Sequence, residues 1–230
     1  MSLNYKKINR ETYDIISDDW DTKRRYYWKP VVDFLKSFSD KNKLKFLDLG
    51  CGGGRHMELA LELGFNKKNI FGCDFSKGQV NVVLNKGFQV KICDMENLDF
   101  DDLSFDLIVC IAVHHHLLEN EKQLLALKEM NRVMSSSGKL LLANWFADDE
   151  FVLKQVEKGK FDFLEKKSES KDENLKGPVK VLYDVDGKKS ERYYYFFEEK
   201  ELLDLCEKAG FIISSKEYFK GNIYLVLEKK

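Results

Sequence analysis

The sequence predicts an α/β fold in which helices pack on a mostly parallel β-sheet. In the middle of the chain, short apolar segments alternate with helical segments, as is typical of crossover units that join parallel strands. Residues 105–113 are almost continuously apolar, which indicates a strand covered on both faces. Near the end, Gly221 and Asn222 separate two strand-like segments. We therefore expect a closing hairpin whose last strand runs antiparallel to the rest.

The individual elements follow in order along the chain. Pro30 lies close to the start of a helix expected at 33–38. Residues 135–138, with the sequence SSSG, predict a turn, and Gly210 marks the end of a late helix. Strands are expected at 44–49, 70–73, 89–93, 105–113, 139–144, 211–219 and 222–228, and further helices at 55–63, 78–86, 120–134 and 198–208.

The length of 230 residues predicts a single domain. We divide it into a helical lead-in at 1–43, a cofactor-binding core at 44–146, a charged segment at 147–192, and a C-terminal helix and hairpin at 193–230. The charged segment is interpreted as an insertion or lid with little core of its own. A solvated loop and a role in substrate capture both remain open for it.

The composition excludes several classes of protein. The chain has 38 Lys and Arg against 39 Asp and Glu, so a globally basic nucleic-acid coat is excluded, although a local basic site is not. No apolar run approaches the roughly 20 residues of a membrane span, and residues 1–10 lack a signal core. The five cysteines are odd in number and contain no C-x-x-C, which predicts buried free thiols in a reducing compartment and no metal site.

A glycine-rich loop follows the first predicted strand. Its glycines fall at Gly50, Gly52 and Gly54, whereas a dinucleotide fingerprint needs the third glycine at position 55, which is Arg55. No G-x-x-x-x-G-K-[ST] is present, so an NTPase phosphate loop is excluded as well. The loop therefore predicts a close backbone approach to a ligand without a phosphate nest.

Three carboxylates accompany this loop at the ends of successive strands. Asp74 follows the second strand, where it could accept both hydroxyls of a ribose, and Asp94 follows the third, where it could accept from an adenine amino group. Asp48, just before the glycines, could pair with an ammonium group or order the loop. An adenosine ligand with an ammonium and no phosphate fits this set. The predicted cofactor is S-adenosylmethionine.

These features resemble the class I S-adenosylmethionine-dependent methyltransferases over roughly residues 44–146 and 193–228. The resemblance implies a Rossmann-like, seven-stranded, mostly parallel sheet with an antiparallel last strand and helices on both faces. The cofactor-binding residues that we assign are Asp48, Gly50, Cys51, Gly52, Gly54, Arg55, Asp74, Phe75, Asp94, Met95, Ile111, Ala112 and Val113.

Segments 111–117, 125–134, 142–145 and 192–197 resemble one family more closely, the tRNA wobble-uridine (5-carboxymethyluridine) methyltransferases. The resemblance implies formation of the methyl ester at the wobble position, with the tRNA anticodon loop as partner and a cytoplasmic or also nuclear location. It further implies a small zinc-binding activator protein that pairs with the sheet edge at 88–93, with Val90 and Ile92 as exposed apolar candidates. The chain departs from the family pattern at Gly53, Arg55, His114, 135–137 and Tyr195.

The substrate of that family is a carboxylate, which is ionised at pH 7 and needs no general base. Catalysis then requires alignment, a cation that seats the carboxylate and flat groups that stack the base. Arg24 and Arg25 are the predicted cations, and His115 or His116 is expected to line the pocket. The predicted substrate-binding residues are Trp28, Asn144, Trp145, Tyr193 and Tyr194.

Structural roles remain open for each of these candidates. The cluster at 23–29 also fits an amphipathic lead-in, the histidines could close a strand end, and the tyrosines could be core residues. Two other functions share the cofactor residues: a class I methyltransferase acting on a small-molecule carboxylate or hydroxyl, and a non-catalytic protein that binds S-adenosylmethionine.

Overall fold

The computed structural model describes residues 4–17, 26–146, 149–164, 175–185 and 188–230. Its helices are α1 Tyr5–Ile15, α2 Lys29–Lys36, α3 Arg55–Glu62, α4 Lys77–Asn85, α5 Asn120–Val133, α6 Asp149–Glu157 and α7 Glu199–Lys208. Its strands are β1 Phe46–Leu49, β2 Ile70–Asp74, β3 Gln89–Ile92, β4 Phe105–Ile111, β5 Met134–Trp145, β6 Phe161–Phe163, β7 Gly177–Val185, β8 Lys188–Phe196, β9 Phe211–Phe219 and β10 Asn222–Lys229.

The main sheet has seven strands in the order β3-β2-β1-β4-β5-β10-β9. Strands β1 to β5 pair in parallel, and β10 pairs antiparallel with both β5 and β9. This confirms the predicted fold class, including the antiparallel last strand. The chain order reverses beside β1, so the carboxyl ends of β1 and β4 form the crevice where open α/β sheets bind ligands.

Two apolar layers cover the faces of this sheet. One contains α5 and α7, with Leu127 and Leu202 fully buried against Ile108. The other contains α2 and α3, with Leu35 and Met57 fully buried. Burial of a side chain of this size contributes roughly 1.5–3 kcal/mol, so the layers fix the strand ends that carry the site. Within the described ranges, no helix is long and apolar enough to cross a membrane.

The predicted turn at 135–138 is wrong, because these residues belong to β5. Phe105 pairs with Met134, but Leu107 pairs with Lys139, so the extra residues of β5 bulge out of the ladder. A Cβ on Gly138 would lie 2.6 Å from Met134 Cγ, which explains the glycine at this position. Turn-forming residues therefore mark a bulge within a strand here.

The charged segment has more structure than its composition predicts. Strands β6, β7 and β8 form a separate antiparallel sheet, and β8 runs on to Phe196, past the predicted boundary at 192. The expectation of little core is wrong. An apolar cluster joins this sheet to α6 and contains Val152, Phe161, Leu175, Val179, Val181, Tyr194 and Phe196. In β7 the buried Val179 and Val181 flank the charged Lys180, and such alternation hides core residues from a composition count.

The cysteine prediction is only partly correct. Cys51, Cys110 and Cys206 are buried and free, but Cys73 and Cys93 form a disulfide. The two residues end neighbouring strands β2 and β3, and their Cα atoms are 5.7 Å apart, a separation that suits a disulfide. A separation of 20 residues along the chain gives no sign of this pairing.

Candidate cofactor and methyl-transfer site

A pocket opens at the carboxyl ends of β1, β2 and β4, under the N-terminal helix α1. Twelve of the predicted site residues line it: Gly50, Cys51, Gly52, Arg55, Asp74, Phe75, Asp94, Met95, Ile111, Ala112, Val113 and His116. Residues that the sequence analysis missed also line it: Lys6, Leu49, Asn9, Tyr13, Gly53, His56, Cys73, Gln79, Cys93 and Leu117.

The glycine loop forms the floor of the pocket. Gly50, Gly52 and Gly54 all have φ between +52° and +85°, the left-handed region that favours glycine. A Cβ on Gly50 would lie 2.4 Å from a methyl carbon of Val113, so the loop packs directly on the segment after β4. Gly54 does not line the pocket; its left-handed backbone begins α3. The loop backbone is thus fixed against β4 and open to a ligand.

Asp74 is buried in the pocket wall at the end of β2. Its Oδ2 accepts from the Gly52 N–H and its Oδ1 from the Ser76 N–H, each at 2.9 Å. Burial raises the pKa of this carboxyl to about 6, and the two hydrogen bonds only partly oppose the shift. Each oxygen keeps capacity for a further donor. Asp74 is therefore held where a ligand with two hydroxyl groups could bind.

Asp94 is tied to the N-terminal helix. Its Oδ1 accepts from the Glu96 N–H at 3.1 Å, and its Oδ2 pairs with Lys6 Nζ. Burial acts to lower the pKa of Lys6, but the hydrogen bonds and charges of Asp94 and Glu96 outweigh it and raise the pKa. The carboxylate predicted to accept from adenine thus also anchors α1 over the pocket.

A chain of polar groups lies behind the glycine loop. Arg55 donates to His56 Nε2 at 3.2 Å, and because a guanidinium only donates, the imidazole proton belongs on Nδ1. That nitrogen lies 3.5 Å from Asp48 Oδ1. Asp48 itself lies outside the pocket lining. The Arg55 guanidinium stacks 5.2 Å from the Trp28 ring, so Trp28 packs behind the loop and away from the pocket.

One face of α1 closes the pocket. Lys6, Asn9 and Tyr13 follow one another at helical spacing and all line it. The Asn9 amide accepts from the Tyr193 N–H at 2.7 Å and donates to the Tyr193 carbonyl at 2.9 Å, which fixes α1 to β8. This stripe was readable in the sequence as polar residues at i, i+3 and i+7, but only the fold shows what it covers.

His116 stands at the meeting point of α1 and β8. Its Nδ1 lies 3.1 Å from the Tyr193 carbonyl oxygen, which only accepts, so Nδ1 carries the proton. Its Nε2 then accepts from the Tyr13 hydroxyl at 3.1 Å. The pair places a polarised phenol at the pocket wall.

The other predicted substrate residues lie outside the pocket lining. His115 Nδ1 accepts from the Trp145 N–H at 2.9 Å, and its ring packs on Tyr194. Asn144 is fully buried and hydrogen-bonds His114 at 3.3 Å. Burial lowers the pKa of His114 to about 4, so this ring is neutral. The structure brings these residues together as a polar cluster that supports the end of β4.

Tyr193 also points away from the pocket. Its hydroxyl donates to Glu191 Oε2 at 2.8 Å, and its ring lies 4.8 Å from that of Tyr5. Its contribution to the pocket comes from its backbone, through Asn9 and His116. Arg24 and Arg25 lie outside the described residues.

Comparisons with known proteins agree with this architecture. A family model described as a methyltransferase domain matches residues 47–142. A putative methyltransferase of Encephalitozoon cuniculi is 30% identical over 223 residues, covering 94% of this chain and 93% of that protein. The chain belongs to the class I S-adenosylmethionine-dependent methyltransferases. Its cofactor is S-adenosylmethionine.

Relatives with a more specific name match this chain over only part of their own length. The tRNA (carboxymethyluridine(34)-5-O)-methyltransferase of Xenopus tropicalis is 32% identical over 142 residues, which is 61% of this chain and 21% of that protein. The chain thus spans about a fifth of that relative.

Two solved structures share the fold at low sequence identity. An S-adenosylmethionine-dependent methyltransferase from Clostridium acetobutylicum has a TM-score of 0.66 and 18% identity, covering 95% of this chain and 99% of that one. A putative methyltransferase of Haloferax volcanii in complex with the Trm112 methyltransferase activator has a TM-score of 0.64 and 13% identity, covering 94% and 97%.

The chemistry of the pocket fits the cofactor. Asp74 offers two acceptor oxygens to a ribose, and the walls at Phe75, Met95 and Ile111 are apolar, as a purine requires. Bound there, the cofactor would supply a methyl group on a sulfonium to a nucleophilic acceptor. The remaining pocket residues would orient that acceptor and exclude water.

Proposed function

We propose that this chain transfers a methyl group from S-adenosylmethionine to the carboxylate of 5-carboxymethyluridine at the tRNA wobble position, forming the methyl ester in the cytoplasm or nucleus. The observation that carries the proposal is the 32% identity to a methyltransferase named for this reaction. The arrangement at His116 supports it.

An ionised carboxylate needs hydrogen-bond donors and alignment, and no proton has to be removed from it. The pocket suits this need, because the lone pair of His116 Nε2 is occupied by the Tyr13 hydroxyl. An arriving carboxylate would compete with His116 for this donor. The Tyr13 O–H would then turn to the carboxylate and hold it in line with the methyl group. Arg24 and Arg25 remain the proposed cations for the substrate.

The test is methyl transfer from labelled S-adenosylmethionine to tRNA that carries 5-carboxymethyluridine, with nucleosides resolved by mass spectrometry. A matched tRNA with 5-carbamoylmethyluridine is the control, since its neutral amide is a poor nucleophile. A base-labile methyl ester on the first tRNA alone is expected. No transfer to either, with cofactor binding verified, would overturn the proposal.

A small molecule with a carboxylate or hydroxyl is the second candidate substrate. The Tyr13–His116 pair favours a hydroxyl in one respect, because an imidazole behind a phenol can also accept a proton from a substrate. The net charge of −1 favours it as well, since tRNA affinity depends strongly on phosphate contacts. Transfer to a small acceptor without tRNA would establish it.

We further propose that a Trm112-type activator pairs with β3. This strand forms one edge of the main sheet. The apolar residues in the strand and next to it differ in exposure. Ile92 is 56% exposed, Val90 is half-buried, and Phe88 and Cys93 are buried, so Ile92 is the apolar contact.

Two matched substitutions test this surface. Ile92→Glu should abolish co-purification with the activator. Ile212→Glu, on the opposite edge strand β9 and similarly exposed at 51%, should leave it intact. Equal binding by both variants would place the activator elsewhere.

A further inference from the structure

Gln79 occupies the first turn of α4, directly after the end of β2. The sequence S-K-G-Q at 76–79 fits a capping box, in which Ser76 and Gln79 would each bond the other's backbone N–H. Only one half forms, with Ser76 Oγ accepting from the Gln79 N–H at 3.2 Å. The Ser76 N–H instead donates to Asp74 Oδ1 at 2.9 Å. The Gln79 side chain is therefore released from capping.

The amide of Gln79 is left without a partner inside the pocket wall. The residue is 1% exposed and lines the pocket. Neither its Nε2 nor its Oε1 has a hydrogen-bond partner in the described part of the chain. Buried amides are almost always satisfied, because an unmade hydrogen bond in the interior is costly. A ligand that fills the pocket would remove this cost.

We propose that Gln79 is a cofactor-binding residue that recognises the ribose together with Asp74. A carboxylate only accepts, whereas each ribose hydroxyl both donates and accepts. Asp74 takes the hydroxyl hydrogens, and Gln79 Nε2–H donates to a hydroxyl oxygen. The ligand class is an adenosine with a free 2′,3′-diol. The inference concerns the cofactor and holds whichever methyl acceptor the enzyme uses.

The experiment is calorimetric titration of Gln79→Met with S-adenosylhomocysteine and with 5′-methylthioadenosine, which lacks the amino-acid group. Both ligands should bind about tenfold more weakly than to the wild type, the effect of one lost hydrogen bond to a buried group. The unliganded variant should melt no lower than the wild type, because the substitution removes an unsatisfied amide. Gln79→Leu, which also removes the donor without adding a charge, should show the same loss of affinity.

Gln89→Met is the matched control, since Gln89 is exposed on β3 and bonds only the Lys68 carbonyl among the described residues. It should bind both ligands normally. Unchanged affinity in Gln79→Met would show that a buried water satisfies the amide. A loss confined to S-adenosylhomocysteine would place the amide at the amino-acid end. A lower melting temperature of the unliganded Gln79→Met protein would show a stabilising contact made without ligand. Each of these results would overturn the proposal.

Discussion

The buried carboxyl of Asp74 should make the stability of the unliganded protein fall as pH rises. Its pKa is raised from 3.8 to about 6 in the folded state. At pH between these values the unfolded chain releases the proton while the folded chain keeps it, so deprotonation favours unfolding. The difference of about 2 pKa units corresponds to about 3 kcal/mol, lost between pH 3.8 and 6 and constant above.

The difference in unfolding free energy between wild type and Asp74→Asn reports this effect, because titrating groups that do not interact with Asp74 cancel. The asparagine side chain of this variant would place an N–H against the N–H of Gly52 or Ser76. This contact changes the difference in unfolding free energy by an amount that does not depend on pH. Urea unfolding of both proteins at several pH values from 4 to 8 measures it. A difference that does not change with pH would refute the assignment of a buried, proton-binding Asp74.

Cofactor binding should lower the pKa of Asp74 that burial raises. Ribose hydroxyls that donate to the carboxylate stabilise its ionised form and lower its pKa. Binding of S-adenosylhomocysteine should therefore tighten as pH rises toward 6 and level off above it, with proton release measurable by calorimetry in buffers of different ionisation enthalpy. Asp74→Ala should abolish binding. Binding that is independent of pH below 6 would contradict the ribose assignment.

Three further outcomes are expected. Tyr13→Phe should lower kcat/KM about tenfold in the methyl-transfer assay and leave cofactor affinity unchanged, because it removes only the phenolic donor. Reduction of the Cys73–Cys93 disulfide should lower the free energy of unfolding by about 3 kcal/mol, the value expected when a loop of about 20 residues is released. Thermal unfolding with and without reductant measures this change, and the Cys93→Ser variant should be insensitive to reductant in the same measurement. Arg24→Ala and Arg25→Ala should each weaken tRNA methylation with normal cofactor binding in calorimetry; full turnover by both would make the cluster structural.

The cofactor side of the pocket was predictable because its signals are local. The glycines that need positive φ and the carboxylates that end strands stand within a few residues of the elements that position them. Once a parallel sheet is inferred, the ends of β1, β2 and β4 must meet at one edge. Gly50, Asp74 and Asp94 were found in this way, and all three line the pocket.

The substrate side depends on contacts distant in sequence, and there the sequence was less informative. Asn9 and Tyr193 are 184 residues apart, yet two hydrogen bonds between them seat α1 against β8 and place Tyr13 beside His116. The sequence predicted a substrate-binding role for the Tyr193 side chain, but in the structure the Tyr193 backbone holds Asn9 and His116 in place. Strand β8, which begins in the charged segment and continues past its predicted boundary, is thus the support on which α1 closes the cofactor pocket. A loss of packing within β6, β7 and β8 would therefore disturb the positions of α1 and of His116, because both contact β8.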